Sequence, residues 1–539
     1  MDDDVLTNAR NGVGAASMTA APGAAETISQ PSGASFSGRK LRMLLCCAGA
    51  PFLIMLDTNI VAVSLPSIAR DLQGGFADVE WVVSAYILPF AALLMPAGAL
   101  ADRLGRRRML ILGLSIFTFA SFLCGAAPNL LTLNGARALQ AVGAALQLTS
   151  SLAVVAQGFE AHERARVYAI WGTVMGMAPP LGPILGGLVT SYLGWRWAFY
   201  INLPLGAGLI ALAVTSVGES RDPKAGGLDY PGIVLFGGGL FSVVWALIDA
   251  NRVGWESAPT IIRLVIGAVL LVGFVFAERK HRRPMIDLTI FRDPTVVGAA
   301  VAMLGYAASA QVMMTILPLY LQDAFVLSPA IAGLAMIPFA LPLLIGPSVG
   351  GKLAATMSSR AILSLGLGLV AIGNAVAATA VLADLAYWTA AIGMFITGSG
   401  AGLLNSETAK AQVSSVPPER AGMASGLAST TRFIGIIAGV AVLGAVLAAV
   451  AEARLRKLGT TLAPDQGIDW HELSQRIVGG DAQGALAALS DPIQKALGGA
   501  VHASVAAGFG AALFVAAVVA VVSSLASCRL IRSAGNRGS

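Results

Sequence analysis

Asp57 and Arg137 are single charges inside long apolar stretches of the sequence. Asp57 is the one charged residue within 43–68, and Arg137 is the one charged residue within 130–157. A carboxyl group can take up a proton when it is buried and release it when water reaches it. An arginine stays charged at any depth, so it needs an anionic partner or an aqueous cavity. Together the two residue types can bind and release a proton in an apolar environment.

Each of these charges also has a structural interpretation. The carboxylate of Asp57 has hydrogen-bonding neighbours in Thr58, Asn59 and Ser64, so it can hold helices together without titrating. Arg137 can form a fixed ion pair that only ties helices to one another. Because ionisable groups are costly in apolar surroundings and are usually functional there, we favour the proton-binding interpretation.

The composition of the chain is that of a protein dissolved mostly in lipid. Of its 539 residues, 56% are hydrophobic and only 12% are charged, and the mean hydropathy is +0.76. Soluble proteins have about 25% charged residues, so a soluble multidomain protein is excluded. The net charge of +6 is typical of basic cytoplasmic loops and does not predict a nucleic-acid partner. The four cysteines and four histidines show no metal-binding, redox or disulfide spacing.

Apolar stretches of helix length divide the sequence into fourteen predicted membrane spans. A bilayer core takes about 20 apolar residues per helix. The fold class is therefore an all-α integral membrane protein, and the even number of spans places both termini on one side. The spans lie near 41–68, 79–100, 109–127, 131–157, 167–192, 195–217, 230–250, 258–278, 295–320, 329–351, 361–382, 386–411, 421–450 and 501–527.

Basic residues alternate between the loops, which orients the chain. Loops after even-numbered spans are rich in Lys and Arg, whereas the short loops between them contain few or none. By the positive-inside rule, both termini and the basic loops lie on the cytoplasmic side of a bacterial inner membrane. Residues 1–40 lack the basic and apolar regions of a signal peptide, so we interpret them as a disordered cytoplasmic tail.

The densest charge lies in one short turn, "GALADRLGRRRML", at 98–110. Arginines at a cytoplasmic turn anchor the topology. Gly98 permits close helix packing and Gly105 a tight turn. Asp102 can pair with arginines or cap the start of the third span. We interpret the turn as a topology anchor and also as a gate between conformations, formed by Gly98, Asp102, Arg103, Gly105, Arg106 and Arg107.

A second copy of this turn begins at Gly351. "GKLAATMSSRAILSLGL" matches "GALADRLGRRRMLILGL" at one offset, which pairs Gly98 with Gly351 and Gly113 with Gly366. Two related six-helix halves with a central site are a transporter architecture, although chance similarity in Ala/Gly/Leu-rich sequence is the alternative. The repeat predicts a tail (1–40), an N-terminal six-helix half (41–217), two inserted helices with a basic loop (218–294), a C-terminal six-helix half (295–527, with an outer loop at about 452–500) and a second tail (528–539).

Five motifs in order resemble the fourteen-helix drug:proton antiporter branch of the major facilitator superfamily. The resemblance covers roughly residues 41–450. The family usually has Thr and Asn where this chain has Asn59 and Ala62, and commonly has Gln where it has Phe433. The motifs are "LDTNIVAVSLP" (56–66), "GALADRLGRRR" (98–108), "LNGARALQAVGAA" (133–145), "GTVMGMAPPLGPILGG" (172–187) and "GWRWAFYINLP" (194–204).

The resemblance implies roles for further residues. It places Asp57, Arg137 and Gln140 in proton and substrate coupling. It implies that the span-five motif is a gate and seal. The glycines of the motif allow close packing, and its prolines break the hydrogen-bond ladder and would bend the helix. The residues of that motif are Gly172, Gly176, Pro179, Gly182, Pro183, Gly186 and Gly187. Other polar groups at membrane depth are candidates for lining a cavity: Tyr86, Gln147, Asn202, Gln311, Asn405 and Arg432. Glu407 is expected to form a local ion pair with Lys410.

These features predict a proton-coupled exporter of amphipathic organic compounds such as drugs, working by alternating access. Its partners are a small organic substrate, protons and membrane lipids, and the proton gradient replaces any cofactor. The chain contains neither a Walker A motif nor the motif of a hydrolase or metalloprotease in a plausible context, so no enzyme is predicted. An exporter of one endogenous metabolite, a nutrient importer and a non-transporting sensor or scaffold are the alternatives. Whether a periplasmic adaptor protein continues the path is left open.

Overall fold

The computed structural model is helical throughout the parts of the chain that it describes. The described residues are 36–73, 76–221, 229–281, 284–314, 316–317, 320–321, 329–414, 416, 421–462, 468–470, 473–474, 477, 486 and 491–531. They contain no strand. Most of the predicted tails, up to residue 35 and from residue 532, lies outside this set.

Seven helices make up the N-terminal half of the chain. A four-residue helix, α6, and the helix that follows it, α7, together form the sixth predicted span. The helices are α1 (Gly38–Asp71), α2 (Phe76–Leu104), α3 (Arg106–Gly125), α4 (Leu130–Gly158), α5 (Ala161–Tyr192), α6 (Trp197–Tyr200) and α7 (Asn202–Ser216).

The rest of the chain contributes nine helices in the described ranges. The two inserted helices are α8 (Tyr230–Val253) and α9 (Ala258–Lys280), followed by a 3-10 turn (Leu288–Arg292). The C-terminal half contains α10 (Pro294–Tyr306), which runs into a π-helical turn (Ala307–Gln311) that the sequence did not predict. It continues with α11 (Pro329–Ala335), α12 (Ile337–Leu353), α13 (Ser359–Leu382), α14 (Tyr387–Ser414), α15 (Ala421–Leu462) and α16 (Asp491–Leu530).

Each predicted span coincides with one of these helices or with a short series of them. Ten helices in the described ranges are long and apolar enough to cross a membrane. The outer loop expected at about 452–500 is shorter than predicted, because α15 continues to Leu462 and α16 already begins at Asp491.

Local sequence signals fix several of the helix ends. Asn129, at the start of α4, accepts a hydrogen bond from the Thr132 backbone, and Asp293 caps α10 in the same way. Side-chain oxygens at such positions satisfy backbone N–H groups that have no partner inside the helix. Gly105 separates α2 from α3 with a φ of +112°, a conformation that favours glycine.

In each half, a matched glycine lets two neighbouring helices pack closely, which supports the internal repeat. Gly113 of α3 faces α4 so closely that an added Cβ would lie 2.6 Å from the Gln147 backbone nitrogen. Its counterpart Gly366 of α13 faces α14, where an added Cβ would lie 2.7 Å from the Leu404 side chain. Glycines let helix backbones approach closely in a membrane, so the matched glycines hold equivalent helix pairs together.

The halves meet along two seams, and the inserted helices lie outside them. One seam joins α2 to α15 and the other joins α5 to α12. Helix α8 packs on α2 and α15, and α9 packs on α8. Only 17% of the apolar window of α9 is buried, so most of this helix is left to face lipid.

A partly buried ion pair ties the two inserted helices together. Arg263 Nη1 of α9 lies 2.5 Å from Asp249 Oδ2 of α8. The guanidinium carbon of Arg263 also lies 4.3 Å from the centre of the Trp245 ring. Because each charge satisfies the other, α8 and α9 can carry them inside an apolar environment.

Lys and Arg concentrate in the loops at one end of the bundle. We call the end where α2 is followed by Arg106 the basic end, and the other the opposite end. Helices α1, α3, α5 and α15 start at the basic end, whereas α2, α4 and α14 start at the opposite end.

Candidate functional site

The structure brings Asp57 and Arg137 into direct contact. Arg137 Nη1 on α4 lies 2.6 Å from Asp57 Oδ2 on α1, and both side chains are 0% exposed. Arg137 lies seven residues after Leu130, the first residue of α4. It is therefore about 10 Å along the helix from the opposite end of the bundle. The sequence placed both charges at membrane depth, and the fold places them on facing helices of the N-terminal half.

Two amide side chains complete the surroundings of the Asp57 carboxylate. Gln140 Nε2 donates to Asp57 Oδ1 at 3.0 Å, and Asn202 Nδ2 donates to the same oxygen at 2.7 Å. Gln140 Oε1 also accepts a hydrogen bond from Arg137 Nη1 at 2.6 Å. Asp57 therefore accepts three hydrogen bonds within the described residues, one from a guanidinium and two from amides.

Arg137 is held by more than its ion pair. Its Nε donates to the Val82 carbonyl of α2 at 3.1 Å. Its guanidinium carbon lies 4.1 Å from the centre of the Tyr86 ring and 5.8 Å from the Phe199 ring. These contacts fix the planar guanidinium from several sides, so the charge has partners besides Asp57.

Ser121 of α3 is a member of this network that the sequence reasoning missed. Its hydroxyl accepts hydrogen bonds from Gln140 Nε2 at 2.8 Å and from Asn202 Nδ2 at 3.3 Å. Asn202 and Tyr86 were candidates for lining a cavity, and the structure places them in the Asp57 network instead. Ser121 carries no sequence signal beyond being a polar residue in the apolar run of α3.

A series of aromatic rings connects this network to the C-terminal half. Tyr86 stacks on Phe90 with ring centroids 5.6 Å apart. Phe90 meets Phe433 of α15 edge to face at 4.6 Å. Arg137 is thus linked through α2 to the helix that forms the seam between the halves.

Arg432, next to Phe433, is the centre of a second polar cluster. Its Nε donates to Gln311 Oε1 at 2.9 Å, and its Nη2 donates to Asn405 Oδ1 at 3.2 Å. Asn405 Nδ2 in turn donates to the Gly172 carbonyl of α5 at 3.0 Å, which joins the two halves. Three of the predicted cavity residues therefore lie together, in the C-terminal half.

The predicted gate at the basic end contains a contact across the halves. Asp102 Oδ1 lies 2.5 Å from Arg106 Nη2, and the Arg106 side chain is 0% exposed. Asp102 Oδ2 accepts a hydrogen bond from the Met423 backbone N–H at 2.7 Å. Met423 is in the first turn of α15, whose N–H groups lack partners within the helix. Asp102 therefore pairs with an arginine as expected, but it caps α15 and not the third span, whose N-cap is Gly105.

Glu219 is a second residue at this turn that the sequence reasoning missed. An added Cβ on Gly105 would lie 2.5 Å from a Glu219 carboxylate oxygen, so the glycine admits that side chain. The carboxylate accepts the Arg107 backbone N–H at 3.2 Å and lies 3.6 Å from Arg108 Nε. Arg107 also donates to the Val214 carbonyl at 2.8 Å.

Other contacts keep the basic end closed. Ser425 of α15 donates to the Thr149 carbonyl of α4 at 2.8 Å. An added Cβ on Gly426 would lie 3.1 Å from the Leu94 carbonyl of α2. A buried apolar cluster there joins residues of both halves, with Met285 and Ile286 from the segment after α9. These contacts hold α15 against α2 and α4 at the basic end.

The glycines of the span-five motif lie against two neighbours. An added Cβ on Gly172 would lie 3.3 Å from Pro347 of α12, in the other half. Gly182 and Gly186 instead face α1, where an added Cβ would meet Asn59 and Ile60 respectively. An added Cβ on Gly187 would have no atom within 4 Å. The motif therefore packs α5 both within its half and across the seam.

The three prolines of this motif lie inside one continuous helix, and the bend that they are expected to cause stays a prediction. Helix α5 runs without interruption from Ala161 to Tyr192, through Pro179, Pro180 and Pro183. A proline removes one hydrogen bond, but a membrane helix packed against neighbours tolerates that loss. Gly176, Pro179 and Pro183 lie on the described backbone of α5, and their surroundings are outside the described part of the chain.

The remaining predicted residues lie apart from both networks. Gln147 is fully buried on α4, and neither atom of its amide has a hydrogen-bond partner in the described residues. Gly98 is buried within α2, and Arg103 lies in the last turn of α2. Glu407 lies 3.1 Å from Lys410, as predicted for a local ion pair.

The "GWRW" motif ties the opposite end of α1 to α6. Asp71 Oδ2 accepts hydrogen bonds from Trp195 Nε1 at 3.0 Å and from Arg196 Nη1 at 2.6 Å. Arg196 first, and then Trp195, lower the pKa of the Asp71 carboxyl below its usual value. This exposed ion pair resembles the Asp57 pair in composition but lies in water, where such pairs contribute little.

No metal site is visible in the described ranges. No group of three or more His, Cys, Asp or Glu residues there is placed to hold a metal ion.

Comparisons with known proteins agree with this arrangement. The sequence profile of the Major Facilitator Superfamily matches residues 47–440. The multidrug resistance protein Stp of Mycobacterium tuberculosis (strain CDC 1551 / Oshkosh) is 36% identical over 428 residues, which are 79% of this chain and 79% of that protein. The tetracenomycin C resistance and export protein of Streptomyces glaucescens is 30% identical over 517 residues, which are 92% of this chain and 94% of that protein.

A solved structure has the same fold at low sequence identity. The proton:xylose symporter XylE, bound to 6-bromo-6-deoxy-D-glucose, superposes on this chain with a TM-score of 0.59 at 13% identity. The match covers 91% of this chain and 96% of that protein.

Proposed function

The chain belongs to the major facilitator superfamily, and we propose that it exports amphipathic organic compounds, drugs among them, in exchange for protons. The observation that carries this proposal is the fully buried pair of Asp57 and Arg137. Burying ionisable groups at membrane depth costs free energy, and such groups are usually functional. The names of its relatives, a multidrug resistance protein and an antibiotic resistance and export protein, support the direction and the substrate class.

In this proposal the Asp57 carboxylate carries the proton. Protonation turns one of its oxygens from an acceptor into a donor, so at least one of its three donors loses a partner. Arg137 keeps its hydrogen bonds to Gln140 and to the Val82 carbonyl. The guanidinium then has only neutral partners, so its charge is no longer compensated and it is driven to move toward another acceptor.

A moving Arg137 has a route to the seam between the halves. Its guanidinium lies on the Tyr86 ring. Phe90 contacts both Tyr86 and Phe433 of α15, so a shift of Tyr86 can displace α15. The same helix is held at the basic end by Asp102. Protonation of Asp57 therefore favours a different packing of α15, which opens the basic end and closes the opposite end. This is alternating access around a central site.

We place the basic end in the cytoplasm of a bacterial inner membrane. The positive-inside rule supports this orientation, because Lys and Arg concentrate in the loops at that end. Both termini then lie in the cytoplasm, and substrate leaves through the opposite end.

The proposal is tested by transport into proteoliposomes with an imposed pH gradient. The panel contains lipophilic cations, neutral drugs and acids, and wild type is compared with Asp57→Asn. We expect gradient-driven movement in the wild type and its loss in the variant, because asparagine cannot exchange a proton.

Asp71→Asn is the matched control for this experiment. It makes the same change on the same helix, but in an exposed ion pair with Arg196. We expect it to transport like the wild type. Full proton-coupled transport by Asp57→Asn, or equal loss in both variants, would contradict the role of Asp57.

Export of one endogenous metabolite is the second candidate function. The tetracenomycin C resistance and export protein covers more of this chain than the multidrug relative does, and its name gives one compound. If no member of a broad drug panel moves while the gradient is intact, the dedicated exporter becomes the better proposal.

A further inference from the structure

Arg432 is a buried cation whose only partners in the described ranges are neutral. It is 9% exposed, and its hydrogen bonds go to the amide oxygens of Gln311 and Asn405. Other buried charges described at membrane depth have a charged partner: Asp57 pairs with Arg137, and Asp249 pairs with the partly buried Arg263 of α9. A guanidinium away from water is stable only with an anion or a full set of acceptors.

One further polar group near Arg432 lacks a partner. The Tyr306 hydroxyl is buried at the end of α10 and has no hydrogen-bond partner among the described residues. Gly435, three residues after Arg432 on α15, faces Leu304 and Ala307, which lie on either side of Tyr306 in the chain. Buried polar groups are nearly always satisfied, so an unpaired hydroxyl near a buried cation indicates a place where a polar ligand binds.

The position of the cluster suits a transported compound. Arg432 is eleven residues into α15, about 16 Å from the basic end. Gln311, in the π-helical turn, is only half-buried, so the cluster is not closed off on every side. The contact of Asn405 with the Gly172 carbonyl places the cluster at the seam that must change during alternating access.

The charge balance of this half disfavours a cationic ligand at the cluster. The one buried carboxylate described on the C-terminal helices is Glu407, and it is occupied by Lys410 and by Ser359, whose hydroxyl donates to it at 2.6 Å. A ligand that reaches Arg432 therefore meets one uncompensated positive charge and several hydrogen-bond donors.

We propose that Arg432 binds the anionic group of the transported compound, so that this protein prefers acidic amphipathic substrates, carried as carboxylates or phenolates. The guanidinium has N–H groups left over from Gln311 and Asn405 that can form charge-assisted hydrogen bonds to such a group. The meaning of this preference rests on the proposed export function, but the anion site itself is measurable without transport.

The test compares binding of three dansyl compounds to the purified full-length protein in detergent. Dansyl-leucine is an anion, its methyl ester is neutral, and dansylcadaverine is a cation of similar size. We expect the wild type to bind dansyl-leucine about tenfold or more tightly than its ester, the effect of one charge-assisted interaction. Equal binding of acid and ester, or no binding of either, would overturn the proposal.

Three variants test whether Arg432 causes the preference. Arg432→Gln removes the charge, and Arg432→Lys keeps it. Gln311→Glu places a carboxylate of the same size 2.9 Å from Arg432 Nε, so it satisfies the cation internally and protects the fold. We expect the acid preference to fall to within about twofold in Arg432→Gln and Gln311→Glu and to persist, weakened, in Arg432→Lys.

Gln494→Glu is the matched control, because it makes the same amide-to-acid change near the start of α16, outside both clusters. It should keep the full preference. A preference that survives in Arg432→Gln or Gln311→Glu would overturn the assignment. Transport of the same compounds in everted vesicles separates the two proposals: binding without transport contradicts the export function, and transport of the ester as fast as the acid contradicts the anion site.

Discussion

At the residue scale, the geometry of Arg137 matters as much as its charge. One guanidinium uses Nη1 for both Asp57 and Gln140 and Nε for the Val82 carbonyl, while its face lies on Tyr86. A planar fork can serve these partners together, whereas a lysine ammonium is a point charge on a flexible chain.

We therefore expect Arg137→Lys to retain the ion pair and lose the coupling. Gradient-driven transport should fall at least tenfold, because lysine cannot hold the Val82 carbonyl, Gln140 and Asp57 together. Proteoliposome flux with and without the gradient measures this. The informative control is Arg196→Lys in the exposed pair with Asp71, which should be neutral. Wild-type coupling in Arg137→Lys would show that charge alone suffices.

The sequence predicted the principal residues of the site but not their contacts. Asp57 and Arg137 stood out because a charge in an apolar run is costly, and that argument needs no structure. Ser121 and Asn202 could not be assigned, since a hydroxyl or amide in such a run is common in packing. Their role depends on α3 and α7 lying beside α1, which is set by tertiary packing.

At the scale of helices, the close packing of α3 on α4 depends on Gly113 and Gly143, which contact each other across the pair. An added Cβ on Gly143 would lie 2.5 Å from the Phe117 backbone nitrogen. Backbone cannot yield as a flexible side chain can, so any larger residue must push the helices apart. Since Arg137 and Gln140 lie on α4, such a shift would also disturb the Asp57 network.

We expect Gly143→Ala to destabilise the protein by about 1–3 kcal/mol, the usual cost of overpacking. Thermal unfolding in detergent should show a lower midpoint, and transport should fall with it. Gly135→Ala is the control on the same helix, because an added Cβ there has nothing within 4 Å. Equal stability of the two variants would mean that the seam accommodates a methyl group.

Helix positions were easier to predict than helix ends and interruptions. Apolar runs of about 20 residues locate membrane helices well because the bilayer fixes their length. The same rule does not apply outside the bilayer, which is why the extensions of α15 and α16 were missed. The prolines of α5 predict a bend, but the sequence does not show which neighbours keep the helix continuous through them.

At the scale of the whole molecule, closure of the basic end depends on one carboxylate that serves both halves. Asp102 binds Arg106 within its own half and the first turn of α15 in the other. A hydrogen bond to a charged group contributes about 1.5–3 kcal/mol. This contact exists in the closed conformation, so it biases the equilibrium between conformations.

We expect Asp102→Asn to shift that equilibrium toward an open basic end by about tenfold, the effect of about 1.4 kcal/mol. Spin labels at positions 108 and 356, which are exposed on opposite halves, would report the change as a longer distance in a cysteine-replaced background. Asp293→Asn is the control, because Asp293 caps α10 without bridging the halves. An unchanged distance distribution in Asp102→Asn would remove this residue from the gate.

The length of α15 and α16 has a practical consequence. They contain 42 and 40 residues, about 60 Å of helix each, against a hydrocarbon core of about 30 Å. Both extensions emerge at the opposite end, where the Trp470 ring packs on Gly459. Transporters of 54.9 kDa are difficult targets for cryo-electron microscopy, because a detergent micelle hides nearly all of their mass. The extensions of these two helices lie beyond the length that a micelle covers. An antibody fragment can be raised against them, or a rigid fusion partner attached to them, to serve as an alignment marker.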